Sequence, residues 1–127
     1  MTYNFGKTSL EKLSTVHPDL QKLFKEVITN SPYDFSITEG VRSLERQKEL
    51  VAQKKSTTMH SRHLTGHAVD IAVIVDGKIS WDIRVYKAVA DHVKSVAKLM
   101  SIPIEWGGDW KSFIDGPHFQ LPEKVYL

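Results

Sequence analysis

The sequence predicts an α+β domain, a small antiparallel sheet packed against helices, and three observations predict it. Apolar residues recur at helical spacing over 18–28 and again over 85–100. Side chains alternate from Val69 to Val75, and Asp76-Gly77 follows as a strong hairpin signal. In order, the elements run helix, strand, helix, hairpin, helix, strand, strand, the order of an α+β domain.

Each element has its own warrant. Residues 1–16 read as an irregular lead-in with one helical turn around 10–13. Pro18, a good first-turn residue, opens a helix whose Leu20, Leu23, Phe24, Val27 and Ile28 form one apolar face, ended by Asn30-Ser31-Pro32. Phe35 to Thr38 alternate as a strand, left through Gly40. Ser43 is the N-cap of a helix to about Gln53, on which Leu44, Gln47 and Val51 share a face. Gln47 therefore points inward, where it needs polar partners. After the polar, aperiodic stretch 54–62 come the 69–75 strand and its hairpin partner. Asp82 caps a long helix to about Met100, with Val85, Val89, Val93, Val96 and Met100 as its buried stripe. Pro103 stops it. Strands are expected at 104–106 and 117–121, joined by a flexible turn over 107–111.

Composition narrows the function. At 127 residues, with 41% hydrophobic and 25% charged residues, the chain is one globular domain with room for a core. It contains no cysteine, which excludes disulfides, a thiolate nucleophile and any cysteine-based metal site. The net charge of +2 is scattered, so no nucleic-acid face is indicated. No apolar run has the length of a membrane span or a signal peptide, so neither is expected. A monomer is expected, because no exposed apolar stripe stands out.

The chemistry gathers at Ser61-Arg62-His63-Leu64-Thr65-Gly66-His67-Ala68-Val69-Asp70. An Asp in an apolar strand needs an ion, a hydrogen bond or a metal. Gly66 frees the loop to bring His63 beside it. Asp115-Gly116-Pro117-His118 offers a third ligand. His63, Asp70 and His118 would suit a catalytic zinc with one position open to water. Asp115 could take a proton from that water, and Arg42 could stabilise a developing oxyanion. The alternative is that both histidines are unrelated loop residues and both aspartates cap turns. His63 and His67 stand four apart, but the glutamate of a zinc helix is missing and Gly66 intervenes. His60 is a possible accessory contact or a solvated residue, His92 a hydrogen-bonded core residue, and His17 a surface residue. Asp109, Trp106 and Trp110 line a substrate groove, or else the tryptophans pack the core and Asp109 caps a turn.

Taken together, Ser61-x-His63-x-x-Gly66-x-Ala68-x-Asp70, Trp106-Gly-x-Asp109-Trp110 and Asp115-x-x-His118 resemble the M15 (VanY/VanX-like) family of zinc peptidases. Gly40-x-Arg42 matches the position of that family's substrate-side arginine. Phe5-Gly6-Lys7 and Ser31-Pro32-Tyr33-Asp34-Phe35 are similar to the small phage endolysins of this family, which are L-alanyl-D-glutamate endopeptidases. Many relatives in the vancomycin-resistance branch carry Glu where Asp115 stands, which favours the endolysin side. The resemblance implies zinc on His63, Asp70 and His118, with Asp115 as general base and then acid. It implies that Arg42 polarises the scissile carbonyl and that Ser61 and Gln47 give hydrogen bonds near the substrate. Asp109 and Trp110 are carried as substrate-binding candidates. The partner would be a peptidoglycan stem peptide. The whole chain, 1–127, would be the peptidase domain without a separate wall-binding domain. Such an enzyme accumulates in the host cytoplasm and reaches the wall after a holin opens the membrane. Two other activities remain open: a D,D-carboxypeptidase or dipeptidase on the same zinc site, and a non-catalytic zinc-containing wall-binding domain.

Overall fold

The computed structural model describes residues 3–54, 61–111 and 114–126. In order they form α1 (Lys7–Leu13), α2 (Pro18–Thr29), β1 (Asp34–Glu39), α3 (Leu44–Ala52), β2 (Ala68–Val75), β3 (Lys78–Ser80), α4 (Ile83–Leu99), β4 (Glu105–Trp106) and β5 (His118–Gln120). Short 3₁₀ turns occupy Arg62–Thr65 and Gly107–Asp109. All pairings in the five-stranded sheet are antiparallel, in the order β1-β2-β5-β4. Strand β2 is the axis. It pairs with β1 along one edge, and with β5 over its first residues and β3 over its last along the other. The α+β expectation holds.

Helices α2 and α4 close one face of the sheet. Leu20, Leu23, Phe24 and Val27 from α2 and Val89, Ala90 and Val93 from α4 meet Val69, Ile71 and Val73 of β2 in one apolar cluster. Alternation along β2 sends these three inward and turns Asp70 to the other face. The turn expected at Asp76-Gly77 is present, both residues having positive φ (52° and 77°), as a tight hairpin requires. Ser43 and Asp82 cap α3 and α4 as expected, each side chain accepting a backbone N–H of the first turn.

Some expectations need correction. The lead-in is a seven-residue helix, α1, tied to β1 by Lys12 Nζ donating to Thr38 O (2.8 Å) and by Ile37 N donating to Ser9 Oγ (3.0 Å). A long-range anchor of this kind leaves no local periodic signal. On α3, Leu44 is exposed and the inward residues are Gln47 and Leu50. The buried line of α4 is Tyr86, Val89, Ala90, Val93 and Ala97: Val89 and Val93 of the expected stripe are buried, while Val85, Val96 and Met100 are only partly so and Leu99 is exposed. Tyr86 causes that rotation: its Oη accepts from Val73 N (3.1 Å) and donates to Ser80 O (2.8 Å), pinning this helix face to β2 and β3. His17 is not simply a surface residue, since its Nδ1 accepts from Asp19 N (3.0 Å) and caps α2. His92 is hydrogen-bonded as expected, its Nε2 lying 3.0 Å from Val27 O. His60 lies outside the described residues. Among the described residues, no helix is long and apolar enough to cross a membrane.

Candidate metal centre

Antiparallel pairing of β2 with β5 places Asp70 directly opposite His118. His63 reaches them from the 3₁₀ turn, which Ser61 Oγ caps by accepting from His63 N (3.2 Å). Gly66 ends that turn at φ 77°, a conformation most side chains resist. Asp70 Oδ1 lies 3.1 Å from His63 Nε2 and 3.1 Å from His118 Nδ1, and the two nitrogens are 3.2 Å apart. Both imidazoles are buried. Ligands of a tetrahedral ion with bonds of ~2.0–2.1 Å stand ~3.3 Å apart, so the three atoms already have the spacing such an ion needs. The group can hold a metal ion.

Outer contacts decide which nitrogen each ring offers. His63 Nδ1 lies 2.9 Å from Gly40 O, so it carries the proton and Nε2 keeps its lone pair for the centre. His118 is reversed. Its Nε2 lies 2.8 Å from Gln120 Oε1, leaving Nδ1 for the centre, and Gln120 Nε2 donates to Glu105 Oε2 (3.2 Å). A Cβ on Gly40 would collide with Lys12 O and Thr15 Oγ1, so only glycine lets this carbonyl sit where His63 needs it.

Arg42 is clamped. It donates to both Glu39 oxygens (2.8 and 2.7 Å), to Gln47 Oε1 (2.7 Å) and, more weakly, to Asp70 Oδ2 (3.4 Å). The fully buried Gln47 thus finds its expected polar site by holding the arginine. Burial works against the Arg42 charge, but Glu39, with the charges of Asp70 and Asp115, outweighs it and holds the guanidinium above its ordinary value. Burial likewise opposes ionised Asp70, yet hydrogen bonds from His118 and His63 keep its carboxyl well below the usual range. Burial pulls His118 down, but Asp70, Gln120 and Asp115 together outweigh it, so it is raised overall.

Asp115 approaches from the turn before β5. Its N donates to Gly107 O (3.0 Å) and its O accepts from His118 N (3.2 Å). Its carboxylate has no hydrogen bond to the described residues, and burial first, then the charge of Asp70, pushes it up. An aspartate held this way accepts a proton more readily than an exposed one.

The remaining candidates separate. The Trp110 ring lies 5.0 Å from that of His118. Asp109 instead forms an ion pair with Lys94 of α4. Trp106 is buried and donates from Nε1 to Gly116 O (2.7 Å), the core alternative read from the sequence. Ser61 acts as the cap described above. Sequence reasoning missed Glu39, Gly40 O, Gln120 and Glu105. Only Gln120, two residues after His118 and so on the same strand face, left a readable trace.

A family model described as phage L-alanyl-D-glutamate peptidase matches residues 1–121. The L-alanyl-D-glutamate peptidase of Escherichia phage T5 is 35% identical over 116 residues, covering 88% of this chain and 85% of that protein. The peptidoglycan L-alanyl-D-glutamate endopeptidase CwlK of Bacillus subtilis is 34% identical over 124 residues, covering 85% of this chain and 74% of that protein. The crystal structure of the Serratia marcescens L-Ala D-Glu endopeptidase ChiX matches with a TM-score of 0.90 and 43% identity, over 97% of this chain and 93% of that one.

Proposed function

The chain belongs to the phage L-alanyl-D-glutamate peptidase family, and from that premise we propose a zinc-dependent endopeptidase that cuts the L-Ala–D-Glu bond of peptidoglycan stem peptides. The observation that carries this reading is the His63, Asp70 and His118 triad, its donor atoms 3.1–3.2 Å apart, beside the Asp115 carboxylate, which has no hydrogen bond among the described residues. His63 Nε2, an Asp70 oxygen and His118 Nδ1 would hold the ion. Zinc in such a setting lowers the pKa of water to ~7 and polarises a carbonyl as a Lewis acid.

The chain's own groups do the rest. Asp115 takes the proton of the attacking water and returns it to the D-Glu nitrogen as the peptide bond breaks. Of the five Arg42 N–H groups, four are engaged by Glu39, Gln47 and Asp70 among the described residues. The remaining Nη1–H is the donor left for the scissile carbonyl oxygen. Trp110 walls the centre beside His118 and excludes water from one side. The enzyme acts as a monomer, made in the host cytoplasm and reaching the wall when a holin opens the membrane.

The test is mass spectrometry of fragments released from purified Gram-negative peptidoglycan by the zinc-loaded protein, with His118→Ala as control. Fragments with a free D-Glu amine are expected. Loss of terminal D-Ala alone would replace this reading with a carboxypeptidase. No release despite bound zinc would leave a wall-binding domain.

A further inference from the structure

Beside the Asp115 turn lies an exposed apolar surface that neither the fold nor the metal centre uses. Trp81 is 68% exposed, and Ile83 and Ile114 are 48% and 63% exposed. Trp81 is nevertheless held: its ring lies parallel to Tyr86 (4°, centroids 6.1 Å apart), and the Tyr86 hydroxyl is fixed by Val73 N and Ser80 O. A flat aromatic face kept rigid and open to water is poor for stability and well suited to stacking.

Its place in the sheet is defined by register. Strands β3 and β5 share one edge of β2, where Ser80 pairs with Val73 and His118 with Asp70. Trp81 follows Ser80 and heads toward β5, one step beyond that pair and level with Ala72. Asp70 and Ala72 are two residues apart, about 7 Å along a strand. Ile83 connects the two regions, because a Cβ on Gly116, the residue after Asp115, would come within 2.8 Å of Ile83 Cδ1.

We propose that Trp81, with Ile83 and Ile114, is a docking platform for the N-acetylated sugar that carries the stem peptide. This rests on the endopeptidase reading. In peptidoglycan, one residue (L-Ala) and a lactyl group separate the scissile bond from the muramic acid ring. Two such units span about 7 Å, matching the step from Asp70 to the level of Trp81. Charge favours the sugar over the stem itself. The stem carries free carboxylates, whereas the cation next to Trp81 and Ile83, Arg84, is already paired with Asp82. An uncharged pyranose presents a C–H face that suits an indole.

Two measurements on the zinc-loaded protein test it. The first compares cleavage of a disaccharide-tetrapeptide with that of the free tetrapeptide of the same sequence. Trp81→Ala should lower the preference for the sugar-linked substrate about tenfold, mainly through KM, and Trp81→Phe should restore most of it. The second follows the three tryptophan indole N–H signals by NMR while the free N-acetylated disaccharide is added. The Trp81 signal should move, and those of Trp106 and Trp110 should not. An unchanged preference in Trp81→Ala, or equal loss on both substrates, overturns the platform. If wild type cut neither substrate while the disaccharide still moved the Trp81 signal, the endopeptidase reading would fall and the platform would stand.

Discussion

Replacing Gln120 by Leu tests whether the centre depends on residues that never touch the ion. In the native chain Gln120 Oε1 accepts the proton on His118 Nε2 at 2.8 Å, and Gln120 is itself held by Glu105 at 3.2 Å. This contact keeps the His118 proton away from the centre, so that Nδ1 presents a lone pair. With Leu there, the neutral ring gains by moving its proton to Nδ1, where Asp70 Oδ1 waits at 3.1 Å. Zinc would then have to reverse that tautomer and leave a buried N–H without a partner. Removing such outer contacts lowers metal affinity about 10–100-fold, which is about 1.4–2.7 kcal/mol. The measurement is competition for zinc against a chelating chromophore at pH 7 and fixed ionic strength, with thermal melting of the zinc-free variant as a fold control. Gln120→Glu keeps the acceptor and should retain most of the affinity. An unchanged dissociation constant in Gln120→Leu would refute the tautomer argument, because among the described residues Gln120 is the acceptor that holds the proton on His118 Nε2.

Three further outcomes are expected. Asp115→Asn should keep zinc binding and lose about 10²–10⁴ in kcat, measured on peptidoglycan with zinc content determined in parallel. Gly107→Ala should lower kcat without unfolding the chain. The added Cβ would collide with Asp115 O and stand 3.1 Å from His118 Cβ, moving the base relative to the metal ligands; kcat and the melting temperature separate the two effects. The zinc-free protein should lose stability as pH rises above about 6.5. His118, raised in the fold, stabilises fully below its unfolded value of 6.5, and this is lost as pH climbs through its higher folded value. Asp70, depressed in the fold, stabilises above about 3.8 and only stronger acid removes that contribution, while Asp115, pushed up, subtracts stability once it ionises. Zinc binding needs neutral imidazoles, so the rise in melting temperature on adding zinc should instead grow with pH over the same range. Melting curves from pH 5 to 8 with chelator or with zinc check both signs.

The parts of this molecule that could be read from the sequence are those whose causes are local. Pro18 announces a helix start through its fixed φ, Ser43 and Asp82 through their capping side chains, and Asp76-Gly77 announces its turn through positive φ. His63, Asp70 and His118 were legible because a charged residue in an apolar strand demands partners, and few residues could supply them. What stayed hidden is cross-chain. Helix α1 exists because Ser9 and Lys12 bond to β1, and the α4 stripe is turned by a hydroxyl that reaches β2 and β3. Gly40 looked like a way out of a strand; its carbonyl is in fact the partner of His63.

Glu39 shows why the site is assembled on β2 rather than on a loop alone. It sits opposite Asp70 across the β1–β2 ladder, just after a register shift at Ile37. That shift lets its carboxylate grip Arg42 with two hydrogen bonds while the guanidinium stays 3.4 Å from Asp70 Oδ2. Without this grip, Arg42 would gain by closing on Asp70 as a two-pronged ion pair and would compete with the histidines and the metal for its oxygens. Glu39 therefore keeps the positive charge of Arg42 off the Asp70 oxygen that His63 and His118 share, and those two histidines keep Asp70 ionised. A carboxylate on the strand facing Asp70 can do this, because sheet register sets its distance more tightly than any loop would.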